Sequence, residues 1–243
     1  SVSTGAAQYL ALSVALSPSV TARAQVGHST YLYQLPGPLT DAQFAASPRA
    51  ATRSRNYYNP DIVVPSIGLD WRSRTGARLI TTISGLFGPR NSVQFIGFAT
   101  QPDLADGAGQ MSPRQVDIDR FRSLTGESRL TLPWKAADRV QTLAVGFAVG
   151  ANRMRRQQGG IGTRGDDYDL SVTAAGFQRD VSYRTTNAAI YAENLFQLSP
   201  RWAIVPGLRY EMGLTKLTGR LAYYDPADTP REVRHRYPLL GLR

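Results

Sequence analysis

Arginine is the residue type with the most chemical capacity in this chain. The 243 residues hold 28 Lys+Arg against 18 Asp+Glu, a formal charge of +10, and nearly all the basic residues are Arg. A guanidinium stays charged at physiological pH and presents a planar fork that matches carboxylate and phosphate, so an anionic partner is the first expectation. Two groups stand out by spacing. Arg53 and Arg55 lead into Tyr57 and Tyr58, and Arg153, Arg155 and Arg156 run into Gln157 and Gln158. The second group either steers an anion or is solvated at the end of a strand.

Other chemistries find little support. Gly165-Asp166-Asp167-Tyr168-Asp169 places carboxylates close together, but it lacks the twelve-residue calcium loop closing on Glu, and a solvated loop is the expected reading. His28 and His235 have no partner at metal-ligand spacing and read as interfacial or structural. No cysteine is present, which excludes disulfides, thiolate metal sites and cysteine nucleophiles. No nucleophile elbow, phosphate-binding glycine loop or carboxylate pair offers catalysis, and no cofactor site is expected. Nucleic acid is the rival anion; the arginines are spread along the whole chain, and no zinc knuckle, RNA-recognition signature or basic helix accompanies them.

The elements that would position these arginines are strands. Leu10, Leu12, Val14 and Leu16 alternate with Ala11, Ser13 and Ala15; Ile67, Leu69 and Trp71 alternate with Ser66, Gly68 and Asp70. Leu143, Val145, Phe147 and Val149 repeat the plan, as do Ile190 and Ala192 and, after a turn, Trp202, Ile204, Leu208, Tyr210 and Met212. Period two with one apolar and one polar face is the strand signature. About nine such runs are expected, with bulges at Gly88-Pro89 and at Pro206, where proline denies the ladder a donor. The longest apolar run, Thr142 to Ala151, is too short for a membrane helix.

The runs are joined by short turns near Pro18, Arg74, Ala136 and Pro200, with long loops between, including 35–60, 98–116 and 157–184. A soluble sandwich has no reason to keep that order, whereas an outer-membrane barrel has brief periplasmic turns and long extracellular loops. Trp71, Trp134 and Trp202 each lie beside a short turn, as a membrane-interface girdle would place them. The fold expected is all-β: an antiparallel, up-and-down transmembrane β-barrel segment.

The stretch NAAIYAENLFQLSPRWAIVPGLRYE resembles the strand-turn-strand of TonB-dependent outer-membrane receptors. So do RSRNYYNPDIVVPSIGLDW, GPRNSVQF, DRFRSLTGESRL and RRQQGGIGTRGDDYDLSV, whose order and spacing are similar to the ferric dicitrate receptor branch. The resemblance implies a barrel of about 22 strands with an N-terminal plug. It also implies import of a ferric chelate, driven by TonB-ExbB-ExbD through that plug, in the bacterial outer membrane. Iron would enter only with the chelate. Residues 1–243 are then expected to be one partial barrel domain, an internal segment without the plug and the C-terminal strands.

By motif, the resemblance carries chelate binding to Arg90 in GPRNSVQF, Arg120 in DRFRS and Arg179 in QRDVSYRT. The bland alternative pairs each with a carboxylate across the barrel wall. Arg53, Arg55, Tyr57 and Tyr58 would help capture cargo or form a basic surface against lipopolysaccharide phosphates, the surface reading being preferred. Glu193, Arg201, Arg209 and Glu211 are expected on the lumen side. Two rivals stay open: a receptor for another siderophore or a cobalamin-like cargo, and a soluble β-sheet module that binds an acidic ligand.

Overall fold

The computed structural model describes residues 3–136, 138–222 and 232–242. Its strands are β1 (Ser3–Ser17), β2 (Val20–Gln34), β3 (Tyr57–Arg72), β4 (Arg78–Gln94), β5 (Gln115–Ala136), β6 (Arg139–Ile161), β7 (Arg179–Gln197), β8 (Ala203–Ile204), β9 (Gly207–Leu221) and β10 (Glu232–Leu242). One helix, α1 (Asp41–Ala46), opens on a capping box of Thr40 and Gln43. All strand pairs are antiparallel, and the order across the sheet is the order along the chain. The nine expected runs are the nine strands of that path. β8 is a stub cut from β9 and pairs with β7 beside it.

Turns at 18–19, 73–77, at Asp138 and at 198–202 alternate with long loops at 35–56, 95–114 and 162–178. The segment between β9 and β10, expected from its Asp and Pro content to be a further loop, lies almost wholly outside the described residues. Strands run further toward the long loops than apolar alternation suggested: β6 continues to Ile161 and β7 begins at Arg179. Within the loop at 162–178, Gly162 and Val172 form an isolated antiparallel bridge.

The register explains the two faces. Leu12 stands opposite Ala24, then Ile67, Ile83, Gly126, Val149, Ala188, Met212 and Pro238, one unbroken row through nine strands. Every member is apolar or glycine, and the large ones are bare: Leu12 is 62% exposed, Ile67 58% and Ile190, two rows away, 63%. So large an uncovered apolar surface marks contact with hydrocarbon. Among the described residues this band holds no large buried apolar side chain: the largest fully buried ones are Arg114, Val93, Val116 and Val181, all near the long loops.

The opposite face is polar and internally paired. Asp70 accepts from Arg78 at 2.8 and 2.7 Å and from Arg23 at 3.4 Å. Glu127 accepts from the Tyr191 hydroxyl at 2.8 Å, and Glu211 from Arg209 and Asn187. Arg209 and Glu211 thus sit on the face expected of them, whereas Arg201 lies in the turn before β8.

Neither expected proline bulge forms. Phe196 opposite Ile204 and Glu193 opposite Gly207 keep one register across Val205-Pro206, so the strand is interrupted without an inserted residue. Pro206 has no N–H to give, but its carbonyl accepts from Asn194 N at 3.0 Å. At Gly88-Pro89 the pairing with β5 is continuous. The bulges are instead between Ala15 and Ser17 and between Val116 and Ile118.

The tryptophans all stand at the short-turn end. Trp71 is opposite Val20, Trp134 opposite Gln141, and Trp202 closes the turn before β8. The Trp134 indole donates to Asn194 Oδ1 at 2.9 Å and meets Phe196 edge-on, which accounts for a polar residue on the apolar face.

Gly88 has φ +145°, and a Cβ there would lie 1.9 Å from the Asp61 carbonyl oxygen. Gly88→Ala in the protein purified in detergent should cost roughly 3 kcal/mol, read as a lower unfolding midpoint. An unchanged midpoint would contradict this close packing of β3 on β4.

Candidate functional site

Near the long loops the polar face carries a cluster built by register. Arg90 on β4 stands opposite Asp119 on β5, and Asp119 opposite Arg156 on β6. Alternation therefore aims all three the same way. Arg90 Nη2 donates to Asp119 Oδ2 at 2.8 Å; Arg156 donates through Nε at 2.9 Å and Nη2 at 2.8 Å. The Arg90 guanidinium also lies 5.4 Å from the centre of the Phe121 ring.

One carboxylate thus serves two guanidiniums, leaving an excess positive charge. Asp119 keeps only 8% of its side chain exposed, while Arg90 keeps 40% and Arg156 25%, so the unused donors face open space. Arg179 joins the same face, donating to Gln158 at 3.2 Å. On the β2–β3 side, Tyr31, Tyr33 and Tyr58 extend this face, with ring centres 5.5 and 5.4 Å apart. Chemically, the surface can fork onto a multiply charged anion and stack on flat groups.

Of the three arginines expected to bind a ligand, Arg90 and Arg179 share this face. Arg120, one residue from Asp119, points to the opposite face and reaches Gln157 at 3.4 Å. Asp119 and Arg156 complete the cluster, and sequence alone does not reveal their partnership. Arg156 stood in a visible basic run, but its pairing with Asp119 depends on the β5–β6 register.

Arg53 and Arg55 have another role. Each is 3% exposed, so neither forms a basic surface. Arg53 donates to the carbonyls of Phe98 and Gln101 and lies 5.0 Å from the Phe95 ring centre. Arg55 forms a short two-pronged pair with Asp103 and donates to the carbonyls of Ser112, Arg164 and Gly165. Arg114, fully buried, donates to the Arg55 and Asp167 carbonyls at 3.1 and 2.6 Å and to Thr163 Oγ1 at 3.2 Å. Burial, and then the neighbouring Arg55 charge, push the Arg114 guanidinium below its ordinary pKa; Asp167 opposes them.

The Tyr57 hydroxyl donates to the Asp166 carbonyl at 2.7 Å, and Tyr168 donates to Asn59 at 3.2 Å. The acidic loop 165–169 is therefore a strut for its neighbours. His28 pairs with Asp61 at 2.6 Å, bridging β2 and β3.

A family model described as "TonB dependent receptor-like, beta-barrel" matches residues 9–229. The chain belongs to the TonB-dependent receptor family. That family consists of receptors, not enzymes. Among solved structures, the chain is similar to the unliganded ferric citrate transporter FecA, with TM-score 0.77 and 16% identity over 99% of this chain and 33% of that one. It is also similar to the siderophore receptor PiuA from Acinetobacter baumannii (TM-score 0.70, 12% identity, 99% and 39% covered). A third is the alcaligin outer-membrane receptor FauA from Bordetella pertussis (0.65, 12%, 99% and 32%). The chain spans about a third of the FecA length. Identities this low establish the shared fold alone. No curated protein sequence matches the chain.

Arg114→Gln should free the loops without unpairing the sheet, because its side-chain hydrogen bonds go to the loop residues Arg55, Thr163 and Asp167 and breaking a buried charged cluster costs about 3–5 kcal/mol. Hydrogen exchange should speed up in 95–114 and 162–178 while β1 and β9 stay protected. Unchanged loop protection would remove Arg114 from this role.

Proposed function

We propose that this chain forms part of a bacterial outer-membrane barrel that takes up an anionic ferric chelate of the citrate type. It would be energised by TonB-ExbB-ExbD through a plug domain outside this segment. One observation carries the reading: Arg90 and Arg156 share a single carboxylate on the face turned away from hydrocarbon, leaving net positive charge beneath the long loops. A citrate-like chelate offers the carboxylates that such forks match. Arg179 on the same face supports it, and so does the fold shared with FecA. The placement of Trp71, Trp134 and Trp202 fits the periplasmic interface of such a barrel.

A second reading within the class draws on two features. Arg120 faces the other way, and Tyr31, Tyr33 and Tyr58 line the polar face beside Arg90. Both favour a larger siderophore with flat or aromatic groups.

In the purified receptor, Arg90→Ala should weaken ferric citrate binding about ten- to a hundredfold, the value of one or two charge-assisted hydrogen bonds. Arg120→Ala should leave it unchanged. Quenching of intrinsic fluorescence measures both. Equal affinity in wild type and Arg90→Ala removes the citrate site, and preference for an aromatic siderophore by wild type selects the second reading.

A further inference from the structure

The loop at 162–178 leaves β6 and turns back across the sheet, and the register shows on which side it lies. Tyr57 stands opposite Val93, Val93 opposite Val116 and Val116 opposite Gly160. Two residues nearer the membrane, Asn59 stands opposite Asn91 and Asn91 opposite Ile118. These residues have the parity of Ile67, Ile83 and Gly126, so they belong to the outer side of the wall. Arg90 and Asp119, the chain neighbours of Asn91 and Ile118, face the opposite way.

The loop is fastened on that outer side. The Tyr57 hydroxyl donates to the Asp166 carbonyl at 2.7 Å, the Tyr168 hydroxyl donates to Asn59 Oδ1 at 3.2 Å, and the two rings meet edge-on at 6.3 Å. Gly162 N donates to the Arg114 carbonyl at 2.7 Å and Arg114 N to the Thr163 carbonyl at 3.2 Å, which carries the ladder into the loop. A Cβ at Gly162 would come within 2.7 Å of Val116 Cγ2, so backbone and side chain are already in close contact. Under this cover Val93 and Val116 are fully buried although both face outward. From β6 to β3 the loop reaches over three strand spacings, roughly 14 Å. The inner side of the same wall stays open, with Arg90 keeping 40% of its side chain exposed and Arg156 25%.

Swinging this loop over the mouth would break both tyrosine hydrogen bonds, take the Asp167 carbonyl from the buried Arg114 guanidinium and uncover Val93 and Val116. Cargo can shift such an equilibrium only by binding one state more tightly than the other. A chelate on Arg90 and Arg156 is separated from the fastened loop by the wall itself, so closure would have to recover every lost contact from the cargo alone. We propose that 162–178 is a fixed external brace: it backs the stretch of wall that carries Arg90, Asp119 and Arg156, and it stays in place while cargo enters. The inference rests on the receptor reading for the direction of the lumen and adds a mechanical role for this loop.

The test uses the complete receptor in cells. Residues 1–243 hold no cysteine, so Asn59→Cys with Tyr168→Cys puts two thiols where a short, cleavable bifunctional reagent can tie the loop to β3. Before cargo is added the pair should link completely. Labelled ferric citrate should then enter within about threefold of the unlinked rate, because tying down a segment that does not move leaves the transport cycle free. A second pair, Tyr57→Cys with Asp166→Cys, should behave in the same way and guards against a defect of one variant. Two results overturn the brace: both pairs failing to link in the cargo-free receptor, or a larger loss of uptake on linking that cleavage of the reagent restores. Failure of the citrate reading is distinguishable: the unlinked receptor would import no ferric citrate while both pairs still linked completely, which supports the brace whatever the cargo.

Discussion

Inside hydrocarbon every backbone N–H and C=O must be paired within the protein, and a strand meets that demand only through an uninterrupted ladder with its neighbours. In this chain the demand holds nine strands in a single register path. Because side chains alternate along each strand, a fixed register also fixes which side every residue faces. The apolar rows, the paired charges around Asp70 and Glu211, and the cluster at Asp119 are three results of one constraint. Even Pro206 complies: it interrupts the ladder, but its carbonyl still accepts from Asn194 and the register on both sides is unchanged.

Beyond the membrane the constraint relaxes and another takes over. The long loops bury few apolar side chains, Val93 and Val116 beneath them among the few, so they have little hydrophobic drive to settle on one conformation. Guanidiniums supply the order. Arg53, Arg55 and Arg114 each donate to two or more loop carbonyls, and the carboxylate of Asp103 balances part of the charge. The arginine excess is thus divided between two jobs: loop order and the polar-face cluster.

Legibility in the sequence follows the same division. Strands, the alternation of short and long connections and the tryptophan positions were readable, since period two and turn residues are local signals. The strand ends toward the long loops were not, because β6 and β7 continue as polar ladders once hydrocarbon is left behind and the apolar alternation stops. Arg53 and Arg55 were misread as surface because burial by carbonyls leaves no pattern in a loop. The pairing of Asp119 with Arg90 and Arg156 depends on cross-strand register, which no single strand displays. The two proline bulges failed for a related reason: a missing donor predicts a lost bond, not an added residue.

Arg55 takes its acceptors from two different loops, at Asp103 and Ser112 in one and at Arg164 and Gly165 in another, while itself belonging to a third. Insertions or deletions near those contacts would displace several segments at once, so the roots of the loops are bound to evolve together. The tip at 104–110 escapes: it is exposed throughout, and a side chain added at Gly107 would meet nothing within 4 Å. Substitutions in this tip would leave those contacts untouched, so its sequence can vary while the framework beneath it keeps its shape.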